Sequence, residues 1–153
     1  MFVFDTSAYL NGWHDHLPPA TFSSVWDFIA AEMAAGRIIT PREVFTELER
    51  KDDEVTQWAR ERRDQFVEPS EDVQRLAGQI YALFPNPGVR DDADPFVIAE
   101  TQVRGFVVVT YEGRSFNGVP HRRWDKTMPG ICRHLNVGCA TLPEALTGLG
   151  GSF

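Results

Sequence analysis

Phe106-Val107-Val108-Val109-Thr110 is the stretch that decides the fold, and it runs directly into Tyr111-Glu112. Every residue in it is β-branched or aromatic, the composition of a strand buried on both faces near the middle of a parallel sheet. Upstream, Asp94-Pro95 opens a segment whose apolar spacing predicts a helix to about Arg104, with Gly105 behind it. The N-terminus repeats part of this pattern, since Phe2-Val3-Phe4 is a short apolar run that ends at Asp5. A strand that stops at an acid matters because open α/β sheets place their sites at strand C-terminal edges.

The remaining segments fit around these two strands. Arg37-Ile38-Ile39-Thr40 and the region Cys139–Leu142 read as further short strands. Helices are predicted from Thr21 to about Ala35, after Pro41 around Val44, Phe45 and Leu48, and from about Asp53 to Gln65. Others run from a Ser70 cap to Phe84, after Pro129, and from Pro143. Asn11 to Pro19 reads as a loop, from its Asn-Gly and Pro-Pro pairs, and Tyr111 to Thr127 as a longer one. Strands alternating with helices predict a single three-layer α/β/α domain with a central parallel sheet of about four or five short strands and right-handed crossovers.

Composition agrees with this class. The 153 residues suffice for one domain with a proper core, and 42% apolar with 24% charged residues is ordinary for a globular chain. No apolar run is long enough to span a bilayer, and the N-terminus lacks the basic start of a signal peptide, so a cytoplasmic protein is expected. Cys132 and Cys139 make neither a disulfide framework nor a zinc knuckle and read as reduced thiols. The net charge of −7 argues against nucleic-acid binding by general basicity, but not against an enzyme whose bound cations invert the local sign.

Four acids stand out by position. Asp5 ends the first strand, Glu47 lies at the edge of the buried face of the helix after the second, Asp94 begins the helix before the strongest strand, and Glu112 follows that strand. Each has a structural alternative. Asp5 and Asp94 are good helix N-caps, Glu47 is spaced to pair with Lys51, and Glu112 is compatible with a solvated loop. Capping does not explain why acids recur at matching topological positions, and together they offer an all-oxygen pocket for a hard divalent cation.

At this point the chain resembles the PIN-domain family of metal-dependent nucleases, which includes the VapC toxins. Phe2-Val3-Phe4-Asp5-Thr6-Ser7 is similar to the family's opening strand and first acid, and Val44-Phe45-Thr46-Glu47-Leu48 to its helical Glu-Leu motif. Asp94-Pro95-Phe96-Val97-Ile98-Ala99 resembles the third acid with its helix, and Val108-Val109-Thr110-Tyr111-Glu112 the strand and fourth acid. The fourth position is usually Asp, and the loop beyond it offers Arg114 and Ser115 in place of a further acid. An uncharacterised branch of the family carries Glu there, followed by an element like Pro129-Gly130-Ile131-Cys132.

The resemblance implies a PIN-like endoribonuclease dependent on Mg²⁺ or Mn²⁺, acting on RNA as the toxin of a VapBC-like toxin–antitoxin pair, with a cognate antitoxin protein as partner and a homodimer as its assembly. Asp5 and Asp94 would be the principal ligands. Glu47 would be a ligand or hold a coordinated water, Glu112 would serve a second ion or the outer shell, and Thr6 and Thr110 would orient the carboxylates. Arg114, Arg122, Arg123 and Lys126, with His121, Arg133 and His134, are either a solvated basic face or a rim that tracks RNA phosphates.

Lesser candidates have plainer readings. Asp91 and Asp92 suit a turn, Glu43 is expected to face solvent, and Glu100 falls on the Phe96–Val103 side of its helix as a possible accessory acid. His14 and His16 are expected on the surface, while Trp13 and Trp124, in loops, are candidates to stack on a base. A haloacid-dehalogenase-like phosphatase would want a second acid where Ser7 stands. A non-catalytic regulatory or RNA-binding α/β domain, such as a receiver-like module, would want an acceptor Asp at Thr40-Pro41.

Overall fold

The protein was analysed as a computed structural model that describes residues 1–51, 54–84, 93–111 and 127–153. Four short strands form one parallel sheet: β1 (Phe2–Phe4), β2 (Ile38–Ile39), β3 (Val107–Val109) and β4 (Cys139–Ala140), in the order β2-β1-β3-β4. The valine-rich strand is therefore internal, next to β1. Phe2, Val3 and Phe4 lie opposite Val107, Val108 and Val109, so Asp5 and Thr110 leave the sheet side by side at its C-terminal edge. The Asp5 N–H donates to the Val109 carbonyl at 3.1 Å, which fixes that pairing one residue beyond the strand.

Helices cover both faces, as the alternation of elements requires: α1 (Thr6–Asn11), α2 (Pro19–Ala34), α3 (Arg42–Lys51), α4 (Glu54–Arg60), α5 (Glu71–Leu83), α6 (Ala93–Arg104), α7 (Met128–His134) and α8 (Leu142–Gly148). Their starts follow capping chemistry. The Ser70 hydroxyl accepts from the Val73 N–H, Thr127 from Gly130, and Thr141 forms a reciprocal box with Glu144. Gly105 ends α6 with φ of +68°, a conformation that favours glycine. Among the described residues no helix is long and apolar enough to cross a membrane.

The segment after α1 departs from the expected loop. Residues Gly12–His16 continue as a π-helical turn, and Trp13 is buried, its ring 4.8 Å from Trp26 and 6.3 Å from Trp58. Trp13 is thus a core residue rather than an exposed stacking platform. Gly12 permits this, because a Cβ there would lie 3.1 Å from a Leu142 methyl carbon and 3.5 Å from the Trp26 ring. The next helix begins at Pro19 rather than Thr21 and is kinked at Phe22, so its regular part starts close to where the sequence places it. The predicted helix from Asp53 to Gln65 resolves into α4 and a single 3₁₀ turn, Arg63–Gln65.

Candidate functional site

Strand order decides which acids can meet. Because β1 and β3 are neighbours, Asp5 emerges beside Thr110 and Tyr111, directly before Glu112 in the chain. Asp5 caps α1, its Oδ1 accepting from the Ala8 N–H at 2.9 Å and from the Ser7 hydroxyl at 2.8 Å. The Ser7 oxygen in turn accepts from the Tyr111 N–H at 2.9 Å and lies 3.0 Å from the Thr110 hydroxyl. Since the single Ser7 proton goes to Asp5, Thr110 is the donor in that last contact. Ser7 thus joins the first acid to the C-terminal end of β3.

Glu47 makes the second connection. It projects from α3, buried, with Oε2 accepting from the Thr6 hydroxyl and Oε1 from the Ala93 N–H at 3.1 Å. One carboxylate therefore ties the start of α1 to the start of α6. Asp94 follows Ala93 in the first turn of α6 and is also buried, with 6% of its surface exposed. Asp5, at 3%, is more buried still. A carboxylate in a first helical turn, as Asp94 is, is favoured by the helix dipole.

Cys132 is buried on α7. Its thiol is held protonated first by its hydrogen bond to Cys139, then by burial, and the charges of Cys139, Asp5 and Asp94 add to the effect. Tyr9, one helical turn beyond Asp5, is pushed up chiefly by burial, against its hydrogen bond to Thr40 and with a contribution from Asp5.

The donor set has the chemistry of a hard-cation site, with carboxylate oxygens whose orientation is fixed by hydroxyl and backbone donors. Among the described residues, no three His, Cys, Asp or Glu side chains converge closely enough to hold a metal ion by themselves. Glu112, Arg114, Arg122, Arg123 and Lys126 lie outside the described residues, as do Asp91, Asp92, His121 and Trp124. Glu47 bonds to the residue after Asp5 and to the residue before Asp94, and Glu112 is the next residue in sequence after Tyr111.

A cleft of about 260 Å³ opens beside Glu47. Helix α1 lines it with Thr6, Ser7, Leu10 and Asn11, and α3 with Glu47, Arg50 and Lys51. Tyr111 carries a parallel partner, the His16 imidazole, with ring centroids 4.3 Å apart and planes 5° apart. The sequence carries no local signal for either feature, because each joins residues of elements remote in the chain. Ser7 could have been suspected as a hydroxyl two residues after a strand-end acid, although that spacing also suits an ordinary cap.

Two further acids differ in their surroundings. Glu100 is buried and paired with Arg104 at 2.7 Å. Glu43 is half-buried rather than solvent-facing. Its Oε2 has no hydrogen-bond partner among the described residues, and burial raises its carboxyl above the ordinary range, with Glu68 and Glu100 adding repulsion.

Comparison with curated proteins returned no match. A family profile described as a domain of unknown function, DUF4411, matches residues 2–153.

Proposed function

The chain belongs to the DUF4411 family, and we propose that it is a divalent-metal-dependent endoribonuclease of PIN-like design. The carrying observation is that Asp5, Glu47 and Asp94, remote in sequence, are all buried, and that Glu47 is bonded both to Thr6, which follows Asp5, and to Ala93, which precedes Asp94. Buried carboxylates repel one another unless something compensates them, and oxygen-only donors of this kind suit Mg²⁺ or Mn²⁺. When bound, such a cation would neutralise phosphate oxygens and acidify a coordinated water.

The chain's own groups then have distinct tasks. Asp5 and Asp94 are the principal cation ligands. Glu47, held at both oxygens, would be a further ligand or would hold a coordinated water. Ser7, backed by Thr110, fixes the Asp5 carboxylate, while Thr6 fixes Glu47. On the PIN resemblance, Glu112 would serve a second ion or the outer shell, and Arg114, Arg122, Arg123 and Lys126 would contact the RNA backbone. RNA as substrate, a toxin–antitoxin role, a cognate antitoxin and a homodimer belong to the same reading and rest on the PIN resemblance.

The test is cleavage of single-stranded RNA with Mg²⁺ or Mn²⁺, against chelator, by the parent and by Asp5→Asn and Asp94→Asn. We expect losses of roughly a hundredfold or more in both variants, with melting temperature rising on cation addition only in the parent. Cleavage by either variant at the parental rate, or activity that persists in chelator, would refute the proposal. Growth arrest on induction of the parent, absent for Asp94→Asn, would extend the reading to a toxin.

A further inference from the structure

The two cysteines stand where α7 turns into β4. Helix α7 ends in a Schellman turn, in which the Val137 N–H donates to the Cys132 carbonyl at 2.8 Å and the Asn136 N–H to the Arg133 carbonyl at 3.3 Å. Asn136, at the centre of the turn, has φ of +55°, the left-handed value it requires. The chain therefore doubles back at the end of α7 and enters β4, whose first residue is Cys139. There the sheet holds the backbone on either side of the cysteine. The Gly138 carbonyl accepts from the Val108 N–H at 2.9 Å and the Ala140 carbonyl from the Thr110 N–H at 3.2 Å. Turn and sheet together leave the Cys132 thiol hydrogen-bonded to Cys139.

The surroundings of the two sulfurs differ. Cys132 is buried, with 1% of its surface exposed, whereas Cys139 is exposed on an edge strand of the sheet. Packing explains a buried cysteine, which behaves as a small apolar side chain. It does not explain Cys139, which is no part of the core. An accessible sulfur with a second sulfur held against it has the layout of an attacking and a resolving thiol. Cys132 is shielded from solvent, so the first encounter with a dissolved oxidant falls to Cys139.

We infer that Cys139 is a site of oxidation by hydroperoxides, and that Cys132 resolves the product to a disulfide joining β4 to α7. In the first step the Cys139 sulfur attacks hydrogen peroxide. An S–O bond forms, the O–O bond breaks, and the thiol proton leaves with the departing oxygen as water. In the second step the Cys132 sulfur attacks the Cys139 sulfur. The S–S bond forms, the S–O bond breaks, and the hydroxide released takes the Cys132 proton as a second water. Two electrons pass from the thiol pair to the peroxide. Only six residues separate the cysteines, a tether that favours closure within one chain over pairing between chains. The reaction uses none of Asp5, Glu47 and Asp94 and is independent of the ribonuclease reading.

The test exposes the fully reduced chain to a small excess of hydrogen peroxide, in chelator to suppress metal-catalysed oxidation, and then removes the peroxide with catalase. Intact mass and maleimide titration in denaturant read the outcome. Both thiols, the only two in the chain, should be lost together, with a mass lower by about 2 Da. No dimer should form on a non-reducing gel, and dithiothreitol should restore both thiols. Cys132→Ser should stop at a sulfenic acid on Cys139 that dimedone captures. Cys139→Ser should leave Cys132 unreacted in the folded chain and reactive in denaturant. Both thiols intact after peroxide, sulfinic acid on Cys139 with Cys132 still free, or a disulfide formed only between chains overturns the inference. So does equal loss of the Cys132 thiol in Cys139→Ser and in the parent. The parental measurements need no substitution, so they decide the matter even where a variant fails to fold.

Discussion

Replacing Ser7 by alanine tests whether the network at the sheet edge holds the site together. The hydroxyl makes three contacts: it donates to Asp5 at 2.8 Å, accepts from the Tyr111 N–H at 2.9 Å, and receives the Thr110 hydroxyl at 3.0 Å. Ser7→Ala removes all three. Thr110 is almost fully buried, so water cannot readily take over this contact, and Asp5 loses a donor to Oδ1. An ordinary hydrogen bond contributes about 1 kcal/mol net, one to a charged group about 1.5–3, and a buried orphan costs about 1–3. Allowing for relaxation around the new cavity, a loss of about 3 kcal/mol is expected. For a chain of this size that corresponds to a fall in melting temperature of roughly 6–12 °C. Circular dichroism melts in chelator at neutral pH measure it without involving cation binding. A cycle with Thr110→Val should then show coupling of at least about 0.5 kcal/mol, since the two hydroxyls share a bond. A single-variant loss below about 0.5 kcal/mol, with strictly additive effects, would mean that Ser7 is a surface hydroxyl of no structural consequence.

Two further perturbations probe the interior. Burial raises the Glu43 carboxyl above its ordinary value of 4.5, so its ionisation destabilises the fold as pH rises, whereas below 4.5 it is neutral in folded and unfolded chains alike. Glu43→Gln should therefore raise stability by about 1 kcal/mol at pH 7, a modest figure because the side chain is only half-buried, and should lose its advantage below pH 4.5; urea titrations at both pH values decide it. Tyr9→Phe removes a fully buried hydroxyl that bonds Thr40 at 2.5 Å and contacts the Met33 sulfur at 3.6 Å, but keeps the ring against Phe4, Trp58 and Phe66. It should cost about 1–2 kcal/mol, seen as a lower urea midpoint with unchanged slope; a neutral outcome would show that Thr40 finds another partner.

Much of the scaffold was legible because it depends on short-range chemistry. Three consecutive valines favour a pleated conformation in any context, and Ser70 caps its helix through a neighbour three residues away. Pattern also marked Asp5, Glu47 and Asp94, since the end of an apolar run or the edge of an apolar stripe is a property of order alone. The π-helical turn was not legible. Its Asn-Gly and Pro-Pro pairs are loop signals, yet Trp13 gains more by joining Trp26 and Trp58 than the chain loses by leaving regular geometry.

The sequence by itself determined which segments become strands and helices and which acids lie at their ends, because periodicity, caps and glycine stops act over one or two turns of chain. Only the tertiary structure decided that β3 pairs with β1, and hence that Ser7 reaches Tyr111 and Glu47 reaches Ala93. Strand order and hydrogen bonds between remote residues depend on how whole elements bury their faces against one another. That is a balance over the entire core, and no local stretch of the chain encodes it.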